Sequence, residues 1–126
     1  MPFDGPLPAF SIRAEFWTLR FVDERSERYA VRKNVPMPLA AITDRGAMAT
    51  VYADGGYGYA ATSDLSPAGL AAALERAAQW ARATARFALL DTRTLPMPAP
   101  VGEYTSPGVN EPGLSRAEWY DLLAEE

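Results

Sequence analysis

The sequence contains no cysteine and no histidine. These two absences exclude disulfide bonds, thiol nucleophiles, serine–histidine–aspartate triads and the histidine and cysteine sites that hold zinc. Lys33 is the only lysine among 12 basic residues, and nothing in its charged surroundings suggests the desolvation that would make it a base. The 16 acidic residues do not form a calcium-loop pattern. We therefore expect no catalytic residue, no bound cofactor and no metal site in this chain.

Long apolar runs and a basic surface are also missing. No segment approaches the roughly 18 apolar residues that a membrane-spanning helix needs, and the first ten residues do not have the pattern of a signal peptide. The formal net charge is -4, which argues against nucleic acid as a partner, because a polyanion requires a basic surface. These features predict a cytoplasmic protein that binds neither a membrane nor nucleic acid.

The composition is typical of one small globular domain, since 48% of the 126 residues are hydrophobic and 22% are charged. Segment 13–22 is rich in aromatic and β-branched residues and predicts a strand. The alternation over 28–33 predicts a second strand that is half exposed. The prolines that follow indicate a loop or an edge strand over 39–42, and then a turn at 44–46.

The stretch GAMATVYADGGYGYAATSDLSP, residues 46–67, predicts a β-hairpin. Asp54 and Gly55 suit a two-residue type I′ turn, which needs positive φ at both positions. This turn pairs small residues on one face of the hairpin and places Tyr52, Tyr57 and Tyr59 on the other. Because a contiguous exposed aromatic patch is uncommon on a monomer, we expect the tyrosines either to be covered by strand 13–22 or to form an interface.

A long helix is predicted over residues 66–88. Ser66 can cap its first turn and Pro67 suits the first helical position. The side predicted to be buried is mostly alanine, so this helix can approach the small face of the hairpin closely. That side consists of Leu70, Ala73, Leu74, Ala77, Ala78, Trp80, Ala81, Ala85 and Ala88.

The last third of the chain begins with a proline-rich stretch, which predicts an irregular connection. Ser115 and Glu118 then match a capping box, which predicts a short helix over about 115–125. Its apolar residues Trp119, Leu122 and Leu123 are expected to pack against the domain or a neighbouring molecule, because so short a helix is marginal alone.

Together these elements predict an α+β fold. We expect an antiparallel or mixed sheet of about four to five strands, packed by one long Ala-rich helix at about 66–88, with a short C-terminal helix at about 115–125. The predicted organisation is an α+β domain over 1–93, a Pro-rich connecting segment over 94–114, and over 115–126 the start of a helix that leads to a further domain.

The order of these elements resembles the N-terminal domain of the TldD/PmbA family, peptidases that are also described as modulators of DNA gyrase. Four segments carry the resemblance: the first two strands in AEFWTLRFVDERSERYAVRKN (14–34), the glycine-bearing hairpin in DRGAMATVYADGGYGYAATSDLS (44–66), the helix PAGLAAALERAAQWARATARFA (67–88) and the end of the domain in PVGEYTSPGVNEPGLSRAEWYDLL (100–123). Two features depart from the family pattern. The opening MPFDGPLPAFSI does not predict the usual first helix, and Asn34-Val35-Pro36 replaces the usual glycine turn.

The resemblance implies a cytoplasmic zinc-dependent peptidase system, assembled as a homo- or heterodimer with a related subunit and acting on peptides. The zinc-binding HExxxH motif of the family belongs to a later part of the full-length protein, so zinc is implied for a domain outside this chain and no catalytic residue carries over. This domain would contribute assembly contacts and one wall of the peptide path. The candidate interface residues are Tyr52, Tyr57, Tyr59, Trp119, Leu122 and Leu123.

Two alternatives to this hypothesis stay open at the level of sequence. The chain could be a free-standing protein-interaction module with no peptidase partner, and continuation of the gene into a histidine-containing domain would distinguish the two. A small enzyme that uses Asp23, Glu24 and Glu27 for acid/base chemistry is the weakest reading, because acids beside arginines usually form a solvated turn.

Overall fold

A computed structural model describes residues 8–109, 111 and 113–124. The described residues form an α+β fold, as predicted, whose elements are β1 (Phe16–Arg28), β2 (Val31–Arg32), β3 (Val35–Pro36), β4 (Ala40–Ala53), β5 (Gly56–Thr62), α1 (Pro67–Thr84) and α2 (Arg116–Ala124), with short 3₁₀ helices at Ala85–Phe87 and Thr92–Thr94. β1, β4 and β5 form one sheet, and β2 and β3 form another. None of the described helices is long and apolar enough to span a lipid bilayer.

The described residues belong to two compact units. The first unit takes its residues from Met1–Asp23 and Arg45–Val101, and the second from Glu24–Asp44 and Gly102–Glu126. The first unit contains the hairpin and α1, and the second contains β2, β3 and α2.

The β4–β5 hairpin has the predicted turn and register. Asp54 and Gly55 have φ angles of 54° and 82°, which lie in the left-handed region that a type I′ turn requires. Val51 then pairs with Gly58, and Tyr52 pairs with Tyr57. The turn therefore decides which side chains share a face.

The turn predicted at 44–46 is wrong, because β4 continues without a break from Ala40 to Ala53. Gly46 has a different role: a Cβ there would lie 2.9 Å from the carbonyl oxygen of Thr62. Arg45 lies in the strand and its guanidinium is 3.8 Å from the carboxylate of Asp23 on β1. Pairing with a distant strand overrides the local turn chemistry of this segment.

Strand β4 is the central strand of its sheet, between β1 and β5. The amide of Glu15, just before β1, donates to the carbonyl of Tyr52. Farther along β1, Asp23 lies beside Arg45, which is seven residues earlier than Tyr52 in the chain. These contacts show that β1 runs antiparallel to β4. Among the described residues, β5 is the last strand on its side of the sheet.

Helix α1 begins as predicted. The amide of Gly69 donates to the Ser66 hydroxyl over 3.1 Å, and Pro67 occupies the first turn. The α-helix ends at Thr84 and continues as a 3₁₀ helix to Phe87, so Ala88 lies beyond it.

Two residues of the predicted buried face, Trp80 and Ala88, are exposed. Trp80 is 61% exposed and lies beside Tyr57 and Tyr59 of β5, which is the last described strand on that side of the sheet. Ala88 follows the end of the 3₁₀ helix. Sequence periodicity gives the direction of a side chain but not the position of the sheet edge.

The core of the first unit is formed mainly by small residues of β4 and α1. Gly58 of β5 faces this helix, and a Cβ on it would lie 2.6 Å from the amide nitrogen of Ala81 and also contact the carbonyl of Ala77. Strand and helix backbones therefore touch directly, as the sequence predicted. The buried hydrophobic residues are Ala47, Ala49, Val51, Ala53, Leu70, Ala73, Leu74, Ala77, Ala78 and Ala81.

The segment before β1 lies over part of this core. Phe10 and Ile12 pack against the buried cluster, and the Phe10 ring meets Trp17 edge-on at 5.9 Å. The Arg82 guanidinium donates to the carbonyl of Arg13 over 2.8 Å. A polar contact from α1 thus fixes the segment whose apolar residues complete the core.

The second unit contains the predicted capping box. The amide of Glu118 donates to the Ser115 hydroxyl over 3.3 Å, and the amide of Ser115 donates to the Glu118 carboxylate over 2.7 Å. These hydrogen bonds lower the pKa of Glu118, with the Ser115 contact as the main cause. The capping box stabilises the first turn of α2. Residue 125 of the predicted helix lies outside the described residues.

Helix α2 contacts the β2–β3 region through aromatic rings. Trp119 stacks on Tyr29 with ring centroids 6.0 Å apart, and the Tyr120 hydroxyl donates to the carbonyl of Met37 over 2.7 Å. The Arg116 guanidinium donates to the carboxylate of Glu27 over 2.7 Å. Hydrogen bonds from Tyr29 and then Arg116 lower the pKa of Glu27. The short helix therefore has tertiary support within its own unit.

The close packing of α1 predicts the effect of a larger side chain on stability. Ala77→Leu should lower the free energy of unfolding by roughly 1 to 3 kcal/mol, because the extra atoms have no space between helix and hairpin. Ala72→Leu is the matched control: it makes the same change on the exposed side of α1 and should alter stability by about 0.5 kcal/mol or less. Urea denaturation midpoints measure both effects, and equal midpoints would contradict the packing described here.

Candidate interaction surface

A row of aromatic rings crosses the sheet face that is turned away from α1. We call the side chains of Phe16, Tyr52, Tyr57 and Tyr59 the tyrosine face. The ring centroids are 6.0 Å apart for Phe16 and Tyr52, 5.8 Å for Tyr52 and Tyr57, and 6.4 Å for Tyr57 and Tyr59. The row follows from the hairpin register, which sends the small residues to the helix and the tyrosines to the opposite side.

The tyrosine face is largely open. Tyr57 is 52% exposed and Tyr59 is 61% exposed, whereas Tyr52 is half-buried between its neighbours. β1, which includes most of the strand expected to cover these rings, lies beside β4 in the sheet. It contributes Phe16 to the row and leaves the last two tyrosines exposed.

Strand β5 has a free edge among the described residues. In a hairpin with a two-residue turn, Gly56 and Gly58 exchange hydrogen bonds with β4, so the N–H and C=O groups of the alternate residues Tyr57, Tyr59 and Ala61 point away from it. The carbonyl of Tyr57 accepts from the Thr84 hydroxyl over 3.2 Å, and that of Ala61 accepts from Arg76 over 3.4 Å. The outward N–H and C=O of Tyr59 have no partner in the part of the chain that the structure describes.

An open groove with a volume of about 500 Å³ follows this edge. Among the residues described, no charged side chain lines the groove. From β5 it includes Gly58, which faces α1, and Tyr57 and Tyr59, which belong to the tyrosine face. The lining residues are Tyr57, Gly58, Tyr59, Trp80, Thr84, Phe87 and Ala88. We call this the β5 groove.

Two exposed aromatic side chains of the β5 groove were missed by sequence reasoning. Trp80 was interpreted as core, and Phe87, which is 69% exposed, lies in the 3₁₀ helix after α1. The Arg86 guanidinium lies 4.5 Å from the centroid of the Phe87 ring, at cation–π distance. The sequence contained one indication that Trp80 is exposed: a tryptophan is large for a helix face that otherwise consists mainly of alanine.

The 3₁₀ helix Thr92–Thr94 holds the hairpin turn. The amide and hydroxyl of Thr92 donate to the carbonyls of Gly55 and Gly56 over 3.1 and 3.3 Å. Asp91 caps this 3₁₀ helix, and its carboxylate accepts hydrogen bonds of 2.9, 3.1 and 2.7 Å from the Arg93 guanidinium. The Arg93 side chain, and then its backbone amide, lower the pKa of Asp91 to about 2.

The other candidate interface residues lie in the second unit. Trp119, Leu122 and Leu123 are 39%, 49% and 37% exposed, and Trp119 is engaged by Tyr29. The six candidates are thus divided between the two units, three in each. Their role as an interface stays a prediction.

The donor atoms of this chain do not fit a peptidase zinc site. Zinc in peptidases is held mainly by imidazole with carboxylate, and the sequence has no histidine. Asp23 faces Arg45, and Glu27 is hydrogen-bonded to Arg116. Among the described residues, no three potential ligands lie close enough together to hold a metal ion.

The Asp91 contact predicts a pH dependence for the docking of residues 91–94. Because the pKa of Asp91 falls from 3.8 to about 2, its contribution to stability is complete above pH 3.8 and is lost as the pH falls toward 2. The amide proton of Thr92 should therefore exchange faster, relative to an unstructured reference at the same pH, at pH 2 than at pH 5. Asp91→Asn should show the faster exchange already at pH 5, and unchanged protection in that variant would contradict the assignment.

The family comparison agrees with the observed elements. The family model described as PmbA/TldA metallopeptidase domain 1 matches residues 17–85, a range that extends from β1 through α1 and includes the hairpin. No curated protein and no solved structure matches the chain. Since the matched range covers more than half of the sequence, the chain belongs to the PmbA/TldA (TldD/PmbA) metallopeptidase family and carries its first domain.

Proposed function

We propose that this chain acts as the non-catalytic N-terminal domain of a cytoplasmic zinc-dependent peptidase of the TldD/PmbA type. In this role it supplies contacts for assembly with a related subunit and one wall of the path along which a peptide substrate lies. The observation that carries the proposal is the pair of open, uncharged surfaces on the hairpin, the tyrosine face and the β5 groove, in a sequence without imidazole or thiol.

Binding rather than bond cleavage is the chemistry that these residues support. Peptide hydrolysis needs a metal-bound water or an activated nucleophile. The only lysine, Lys33, lies exposed in the β2–β3 turn, and the described carboxylates near arginines are held as ion pairs. Zinc, when it is bound by another domain, would supply the activated water. This domain would contact the peptide substrate and the related subunit.

The tyrosine face suits a peptide wall because of its shape and polarity. Neighbouring rings follow one another at centroid distances of 5.8 to 6.4 Å. Each tyrosine combines an apolar ring with a hydroxyl that can hydrogen-bond a peptide group. Its candidate residues carry no charge, so it would contact peptides with little dependence on their sequence. A role toward DNA gyrase would likewise be a protein contact, because the net charge is -4.

Peptide binding to the tyrosine face can be tested on the 126-residue chain. Tyr57→Ala should weaken binding of an extended uncharged peptide by roughly 2- to 10-fold, the effect expected for one aromatic contact. Tyr104→Ala is the matched control, because Tyr104 is an 82% exposed tyrosine outside the tyrosine face. Chemical-shift titration by NMR measures both affinities, and equal affinities in the two variants would refute the proposed wall.

The chain alone should bind no catalytic zinc and hydrolyse no peptide. A carboxylate-only donor set favours harder ions over zinc, and no activated nucleophile replaces the metal. Elemental analysis after dialysis against zinc should find far less than one ion per chain, and fluorogenic peptides should stay uncleaved. Stoichiometric zinc together with peptide cleavage that a chelator abolishes would refute the non-catalytic role.

A further inference from the structure

The residues of β5 themselves lack the features that usually protect an edge strand, although Thr84 and Arg76 of α1 each contact one of its outer carbonyls. Natural sheets discourage pairing at their edges with charged residues, proline or bulges. The seven residues of β5, GYGYAAT, include no charge and no proline, and their pairing with β4 runs without a bulge from Ala53–Gly56 to Ala47–Thr62. The outward N–H and C=O groups of Tyr59 therefore lie on a regular, uncharged strand and are available for pairing.

The outward groups of β5 are symmetric about Tyr59. This residue is the middle one of Gly56–Thr62, and Tyr57 and Ala61 lie two positions to either side with outward groups of the same kind. A second β5 strand turned by 180° about Tyr59 places Tyr59 opposite its own copy, and Tyr57 opposite Ala61 of the other molecule. Each opposed pair then exchanges N–H to C=O hydrogen bonds.

We propose that two copies of this chain associate by antiparallel pairing of their β5 strands about a two-fold axis at Tyr59, so that two three-stranded sheets become one sheet of six strands. The free backbone groups of Tyr59 would form the central pair of hydrogen bonds. The two Tyr59 rings would lie opposite each other on the same sheet face, as a cross-strand aromatic pair.

The β5 groove favours a second copy at this edge. Trp80 and Phe87 are 61% and 69% exposed and stand beside the strand on its helix side, where the approaching strand of a partner would cover part of their apolar surface. Thr84 and Arg76 each use one lone pair of an outer carbonyl, which leaves the second lone pair for a partner amide. No charged residue of β5 would be buried by the pairing.

The inference deepens the assembly part of the proposed function and rests on it for the assignment of assembly contacts to this domain. Edge pairing lies in the plane of the sheet, so it does not cover the tyrosine face. Instead it makes the tyrosine faces of the two copies continuous, and a peptide wall and a dimer contact can exist on the same hairpin.

A disulfide test suits this chain because it contains no native cysteine. In a hydrogen-bonded antiparallel pair the Cα atoms lie about 5.5 Å apart, within the range that a disulfide spans. Under mild oxidation, Tyr59→Cys should form a covalent dimer. Tyr57→Cys is the matched control, because position 57 faces Ala61 of the partner and lies roughly four residues along the strands from its own copy, well beyond disulfide reach.

Charge substitutions test the same axis without a covalent bond. Tyr59→Lys and Tyr59→Glu should each weaken self-association of the full chain by roughly tenfold or more in sedimentation equilibrium, because each places like charges directly opposite. An equimolar mixture of the two variants should recover a dimer, since opposite charges then face each other. Tyr57→Lys faces an uncharged alanine and should weaken the dimer less. Circular dichroism establishes that each variant is folded.

Several outcomes would overturn the inference. A wild-type chain that is monomeric at millimolar concentration would do so, as would a dimer that Tyr59→Lys leaves unchanged or equal cross-linking at positions 57 and 59. A monomer whose β5 edge pairs with an extended peptide would assign the edge to substrate instead. The failure of the dimer does not affect the Tyr57→Ala peptide experiment, so the inference and the proposed wall can fail separately.

Discussion

The backbone of β5 lies directly against the backbone of α1, and the first unit is arranged around this contact. At Gly58 the space between strand and helix admits a hydrogen atom but no methyl group, since a Cβ would lie 2.6 Å from the amide nitrogen of Ala81. So close an approach favours small residues nearby, in agreement with the fully buried Ala77, Ala78 and Ala81 on the helix. The core therefore combines many close contacts of small groups with three larger, fully buried side chains, those of Val51, Leu70 and Leu74.

This contact also determines what lies on the surface. Because successive residues of a strand point to opposite faces, filling the helix side with glycine and alanine leaves the tyrosines on the other side. Trp80 is too large for the contact and lies at its margin, where it forms one wall of the β5 groove with Phe87. The same packing that stabilises the unit thus produces an aromatic face and an apolar groove on either side of the β5 edge.

The second unit is stabilised differently. α2 has a reciprocal capping box and several contacts through side chains. They include the Trp119–Tyr29 stack, the edge-on Tyr120–Tyr29 contact, the Tyr120 hydrogen bond to Met37 and the Arg116–Glu27 pair. All lie at the surface, where ion pairs and single ring contacts contribute little each. Helix α2 therefore depends on several weak contacts acting together, whereas α1 depends on one continuous packed face.

The sequence alone determined those features that local chemistry specifies. The Asp54-Gly55 turn sets the hairpin register, Ser66 and Pro67 set the start of α1, and Ser115 with Glu118 sets that of α2, because each involves residues within four positions of one another. The order of these elements was also enough to indicate the family. Tertiary structure decided the rest. It determined that β4 continues through Gly46 without a turn, that Trp80 is exposed and that β5 lies at the edge of the described sheet. These depend on which distant strand lies beside which, and local propensities and periodicities carry no information on the neighbours of a strand.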